Sequence, residues 1–504
     1  IEAARRGTNG GLLAVALFDR ALLLHRSGGG DPMRDLAEAR AIAPHTGDAR
    51  RLLAEIDYAE GAIARTSDPR RSIALLSRSA DFFRESFPVY LPAALLERGR
   101  VRRDSGSIDD ARADFLAGID AIERHRDAHA KSEVETAALF DAEQNLFGSV
   151  VELALAKGET RAAFAYADRA LQHALRSRFP SARIADAIPD ECVLEIYIAG
   201  DDVVVFAANA DRVESVRAGS AKRVRAEARA LVDALASKSN DVRSASALYA
   251  MLIAPLRSSL TNARAITIVA DPRLGFIPFA ALFDAETKRY FIEDHELVVR
   301  PAYALPLHDR AALTSSTPAL IVANPENADV ARLPGADREA HDVAASYRAP
   351  EILAGSEATP SAVLRALAAH RVFHYAGHAA APERSAGALL LSGGRLYATD
   401  VARLDLRSVD VVVLAACRSS RAAHESVPRD LATAFVVAGV RNVVGTGWEI
   451  DDATSAATFA DLHRAIASGM RVSAAVRDVQ LAAIRANRSP STWAAITIFS
   501  TERS

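Results

Sequence analysis

Two textures of hydrophobic patterning divide the chain. Over residues 1–183, apolar positions dominated by Ala and Leu recur at helical spacing among Arg and Glu, with short polar connectors such as Thr66-Ser67-Asp68-Pro69. That period predicts amphipathic helices joined by tight turns. Near Ala187-Ile188-Pro189-Asp190 the period changes. Cys192–Ile198 and Val203–Ala207 flank Gly200-Asp201-Asp202, a hairpin signature, and a helix is expected over about Ala221–Ser237. Further short apolar or β-branched runs follow at Ala265–Ala270, Pro318–Ala323, Phe373–His378, Val411–Ser419, Val440–Gly445 and Trp493–Phe499. Helical stretches such as Pro360–His370 and Arg429–Ala438 fall between them. Alternation of this kind predicts βαβ units and a mostly parallel sheet. The expected organisation is α + α/β: a helical domain over 1–183, then an α/β domain over 184–504. The boundary rests on the change of period alone, since no low-complexity linker separates the two.

Within the helical region a small/large rhythm repeats. Gly99, Gly106, Ala111, Phe115 and Gly118 are followed by Gly158, Ala163, Ala167 and Ala170. Small residues let two antiparallel helices approach, and large ones fill the groove between neighbouring pairs. The pattern resembles degenerate tetratricopeptide repeats, although most consensus aromatics and the closing proline are missing. Stacked helix pairs make a concave surface for a peptide or protein, so a protein substrate or a protein activator is the expected partner there.

Composition narrows the chemistry. Half of the 504 residues are hydrophobic, a quarter are charged, and the net charge is −3, without the one-sign excess that nucleic acid or a membrane surface would require. The prevalence of Arg over Lys and the abundant Ala read as coding bias. Two cysteines, Cys192 and Cys417, make no disulfide framework, and no Cys/His cluster has zinc-ligand spacing. Neither a phosphate-binding nor a dinucleotide-binding glycine motif is present, so no cofactor or metal is expected. There is no signal peptide and no apolar run of about 18 residues for a membrane span. A reducing cytoplasm suits a free thiol. Ile1, in helical texture and without Met, is what a fragment would show.

Two runs end on reactive residues. Phe373-His374-Tyr375-Ala376-Gly377-His378 ends on His378, and Val411-Val412-Val413-Leu414-Ala415-Ala416-Cys417 ends on Cys417. In open α/β sheets, catalytic groups gather at the carboxyl ends of strands. A thiol and an imidazole at one rim are the minimum for a cysteine nucleophile and its base. The alternative for Cys417 is an inert buried thiol, against which stand its strand-end position and the polar exit Arg418-Ser419-Ser420. Cys192 lies inside a strand and reads as core. His374 shares a strand face with His378 and reads as a satisfied core histidine or a supporting partner. His424 reads as a solvated loop residue.

From residue 188 onward, several spaced blocks resemble the CHAT peptidases, caspase-like proteins often attached to tetratricopeptide repeats. They are Cys192–Ile198, Asp271–Leu282 with its Pro-Phe-Ala-Ala-Leu ending, Leu333–Ala340, Ala354–Thr359, the His378 and Cys417 strands, Gly445–Asp452 and Ser491–Ala495. The resemblance implies a caspase-like α/β domain and a cysteine endopeptidase with catalytic His378 and Cys417. It implies an oxyanion hole made by the backbone N–H groups of Ala379 and Cys417. The family usually carries Gly after the His. Ala379 keeps the N–H but adds a methyl, which favours the alternative of a catalytically weak caspase-like scaffold. The segment Trp448-Glu449-Ile450-Asp451-Asp452 is also similar to a separase stretch whose aspartate meets a basic P1 side chain. It implies Asp452, with Asp451 second, as the P1 carboxylate. An Asp before Ala-Thr-Ser equally suits a helix N-cap, and adjacent residues can divide the two roles.

Overall fold

The computed structural model describes residues 10–125, 133–183, 191–239, 242–309, 313–380, 387–416, 430–450 and 452–503. The chain forms two compact units, residues 1–170 and 171–504.

The first unit is helical. Its helices are α1 (Gly10–Ser27), α2 (Pro32–Ile42), α3 (Ala49–Ile63), α4 (Pro69–Ser86), α5 (Leu91–Asp104), α6 (Ile108–His125), α7 (Glu133–Ala156) and the first turns of α8 (Thr160–Arg178). The connector Thr66-Ser67-Asp68-Pro69 acts as its residue types predict. The Asp68 carboxylate accepts the Arg71 N–H, and Pro69 opens α4 where no N–H is needed. The small/large rhythm is the packing itself. A Cβ on Gly99 would lie 2.4 Å from the ring of Phe115, so only glycine lets α5 seat that fully buried ring.

The second unit is built on an eleven-stranded sheet. In chain order its strands are β1 (Cys192–Ala199), β2 (Asp202–Ala208), β3 (Val213–Ser220), β4 (Ala265–Ala270), β5 (Glu296–Arg300), β6 (Ala319–Ala323), β7 (Glu351–Ala354) and β8 (Val372–Ala376). After a small three-stranded sheet of β9 (Ala379–Ala380), β10 (Ala388–Leu391) and β11 (Gly394–Tyr397) come β12 (Val411–Ala415), β13 (Asn442–Thr446) and β14 (Ile496–Ser500). The spatial order is β3-β2-β1-β4-β5-β14-β13-β12-β8-β6-β7. Only the β1–β2, β2–β3 and β13–β14 pairings in that sheet are antiparallel among the described residues, so the expectation of a mostly parallel sheet holds.

Helices cover both faces, as a parallel sheet requires; α9 (Ala221–Ala236) and α10 (Arg243–Leu252) share a core with β1, β2 and β4. On β8, Phe373 and Tyr375 enter one core with α12 (Pro360–Leu367) and α13 (Leu431–Val437). Val372 enters the opposite core with α11 (Pro334–Ala344), α14 (Asp452–Ala467) and α15 (Val472–Arg485). Asp430 caps α13 by accepting the Thr433 N–H at 2.7 Å, and Arg178 at the end of α8 donates to its other oxygen at 3.0 Å.

Three strands of the eleven-stranded sheet, and the small sheet β9–β11, have no counterpart in the hydrophobic pattern. β3 and β7 are partly exposed edges with charged residues, and β5 is bounded by Glu296 and Arg300. The run expected from Trp493 is corrected: Ser489 caps a short helix, Pro490–Trp493, and the strand begins only at Ile496.

Candidate active site

The parallel register of β8 and β12 sets Ala376 opposite Ala415. The backbone leaving both strands therefore reaches one rim of the sheet. A cleft of about 500 Å³ opens there, lined by Gly377, His378 and Ala379 after β8, by Ala415 and Ala416 from β12, and by Thr446, Trp448 and Ile450 after β13. Thr446 fixes the last described residue before Cys417: its hydroxyl donates to the Ala416 carbonyl at 2.6 Å. Cys417 and His424 lie outside the described residues.

His378 is held at both ends. Its Nε2 lies 2.8 Å from the Ala331 carbonyl. A carbonyl only accepts, so Nε2 carries the proton and Nδ1 is the basic nitrogen of the neutral ring. Its own carbonyl accepts the Leu390 N–H at 3.0 Å and lies 2.6 Å from the Tyr375 hydroxyl. Gly377 makes the turn possible, since a Cβ there would meet the Tyr375 hydroxyl at 2.8 Å. Ala379, half-buried, starts β9 and pairs with Leu389. The arrangement is an oriented imidazole beside a backbone path that continues into a cysteine.

The family model described as "CHAT domain" matches residues 242–501. The chain belongs to the CHAT-domain family. It is also 26% identical over 324 residues to tetratricopeptide repeat protein 28 of Mus musculus, an alignment covering 51% of this chain and 13% of that protein. Two crystal structures of the Saccharomyces cerevisiae separase–securin complex are similar at 10% identity. Their TM-scores are 0.45 and 0.44, over 97% and 93% of this chain and 47% and 45% of the matched chain. The chain thus spans less than half the length of these relatives.

Other residues singled out in the sequence take varied places in the second unit. Asp452 opens α14, and Asp451 lies outside the described residues. Cys192 starts β1 and packs against the core there; burial pushes its thiol up to about 11, with Glu191 adding to the rise. His374 is fully buried between the sheet and α11/α14. Its Nε2 lies 3.1 Å from Glu339 Oε1 and its Nδ1 3.1 Å from His463 Nε2. Burial pushes the His374 pKa down to about 3, so the ring is neutral where it meets Glu339. Glu339, Ser455, His463 and Tyr347 escaped the sequence reading. Glu339 sits within the Leu333–Ala340 block, but at ordinary helical spacing. Among the described residues no His, Cys, Asp and Glu group is arranged to hold a metal ion, and no helix is long and apolar enough to cross a membrane.

Proposed function

We propose that this CHAT-domain chain is a cysteine endopeptidase that cuts a protein partner. The observation that carries the reading is the oriented ring of His378, its Nδ1 basic, at a cleft that it shares with Ala416, the residue before Cys417. In this mechanism His378 takes the Cys417 proton, the thiolate attacks the scissile carbonyl, and the tetrahedral oxyanion meets the backbone N–H groups of Ala379 and Cys417. The imidazolium then protonates the leaving amine, and water hydrolyses the acyl-enzyme with His378 as base. Asp452, with Asp451 as second choice, is proposed to favour a basic P1 side chain. In this reading the peptidase domain is 184–504, and the helical repeats over 1–183 dock the substrate or a protein activator in a reducing, cytoplasmic compartment.

The methyl of Ala379 favours a second reading, a scaffold of weak activity. A proteome-wide profile of new N-termini separates the two. Fragments that form with the wild type and vanish with Cys417→Ala support the peptidase. Identical profiles contradict it.

A further inference from the structure

The carbonyl that orients His378 has an exposed support. Ala331 belongs to residues 326–332, between β6 and α11, and most of that stretch is exposed. It buries too little side chain to fix a carbonyl by packing, so hydrogen bonds must fix it. Its start is tied to the small sheet: Asn327 Nδ2 donates to the Leu391 carbonyl at 3.1 Å, and Arg395 donates to Asp329 at 2.7 Å. Its end, nearer to Ala331, is gripped by one side chain. Asn324 Oδ1 accepts the Leu333 N–H at 3.0 Å, and Asn324 Nδ2 donates to the Leu333 carbonyl at 3.0 Å. An N–H only donates and a carbonyl only accepts, so the amide has one orientation. The second hydrogen on Nδ2 goes to Asp337 Oδ2 at 3.0 Å in the first turn of α11, and Arg332 pairs with the same carboxylate.

The backbone explains why this residue is an asparagine. Asn324 is 2% exposed and has a φ of 45°, in the left-handed region, directly after β6. Glycine adopts that conformation freely but has no amide to offer. Asparagine is among the few side-chain-bearing residues that tolerate it. Backbone of this kind persists where its surroundings hold it in place. Here the Asn324 N–H donates to the Ala376 carbonyl, at the end of β8, at 2.7 Å. One residue thus ties the end of the His378 strand to the loop whose Ala331 carbonyl meets His378 Nε2. We propose that Asn324 is a positioning residue of the peptidase: it clamps Leu333 so that the Ala331 carbonyl accepts the Nε2–H of His378 and leaves Nδ1 basic toward Cys417. This role rests on the peptidase reading for its use, but the clamp itself is read without turnover.

The full chain carrying Asn324→Gly tests it. Glycine keeps the left-handed backbone and the bond to Ala376 and removes only the amide. The first readout is the tautomer of the neutral His378 ring, from ring-nitrogen chemical shifts of histidine-labelled protein in the Cys417→Ala background, the signal identified by its loss in His378→Gln. The parent should be the Nε2–H form. Adding Asn324→Gly should raise the Nδ1–H form about fivefold or more, the usual worth of a lost hydrogen bond. The second readout is the labelling of Cys417, with Cys417 restored, by a peptide electrophile and by iodoacetamide. Both rates should fall about tenfold or more, because the base is misplaced for either reagent. Leu333 also lines the cleft, and a merely altered wall would slow the peptide reagent alone. That outcome, or an unchanged tautomer, overturns the proposal. If Asn324→Gly fails to fold, Asn324→Asp replaces it. Aspartate keeps an acceptor for the Leu333 N–H but turns an oxygen on the Leu333 carbonyl, and it should show the same shift. Failure of both to fold assigns Asn324 to the fold alone and also overturns the proposal. An unreactive wild-type Cys417 with a tautomer that shifts in Asn324→Gly defeats the peptidase reading alone. A reactive Cys417 with an unmoved tautomer defeats Asn324 alone.

Discussion

The hydroxyl of Tyr375 lies 2.6 Å from the carbonyls of both His378 and Leu390, so one side chain ties the proposed base to the hairpin beyond it. Removing it in Tyr375→Phe should lower stability by about 1 kcal/mol, the usual net worth of a buried hydrogen bond. It should reduce kcat more than it changes KM, because His378 loses its placement while the cleft walls stay intact. Denaturant midpoints and steady-state kinetics on a cleaved substrate check both; an unchanged kcat would show that the Leu390 N–H alone suffices. His378 was legible in the sequence because it ends a buried run at a strand's carboxyl end. Its partner Ala331 was not, because a backbone carbonyl has no residue signature. Glu339 and His463 were missed for a different reason. They lie 35 and 89 residues from His374, and each sits at unremarkable helical spacing on its own helix.

At the scale of elements, β8 has two unlike faces. Phe373 and Tyr375 meet apolar side chains from α12 and α13, whereas His374 meets Glu339 of α11 and His463 of α14. The polar side carries a pH signature. Burial pushes His374 down to about 3 and His463 well below its ordinary value, the latter helped by His374 itself. Below about pH 6.5 the unfolded chain binds protons at both rings that the folded chain refuses. Their contribution is thus fully present above that pH and is lost as pH falls toward 3, at up to about 1.4 kcal/mol per pH unit for each ring. Unfolding midpoints should drop between pH 7.5 and pH 5.5, and His463→Gln should flatten the drop. Parallel slopes in the two proteins would contradict the assignment. The central strands were legible as continuous apolar runs. β3 and β7 were not, because partly exposed edges carry charges, and the end of the Trp493 run was misread because local capping by Ser489 and Pro490 overrode β-propensity.

Across the second unit, a mostly parallel sheet between two helical layers brings the ends of β8 and β12 to one rim. This follows from the fold class, which the alternating strand and helix periods predicted. The chemistry of the rim is the part that remains an expectation, and it turns on one atom, the sulfur of Cys417. Wild-type protein is incubated with a thiol-reactive peptide electrophile with arginine at P1, and the modified site is mapped by peptide mass spectrometry. The account predicts stoichiometric modification at Cys417 that is lost in His378→Ala, with Cys192 left unmodified. A Cys417 that stays unmodified, or that reacts equally without His378, would contradict it.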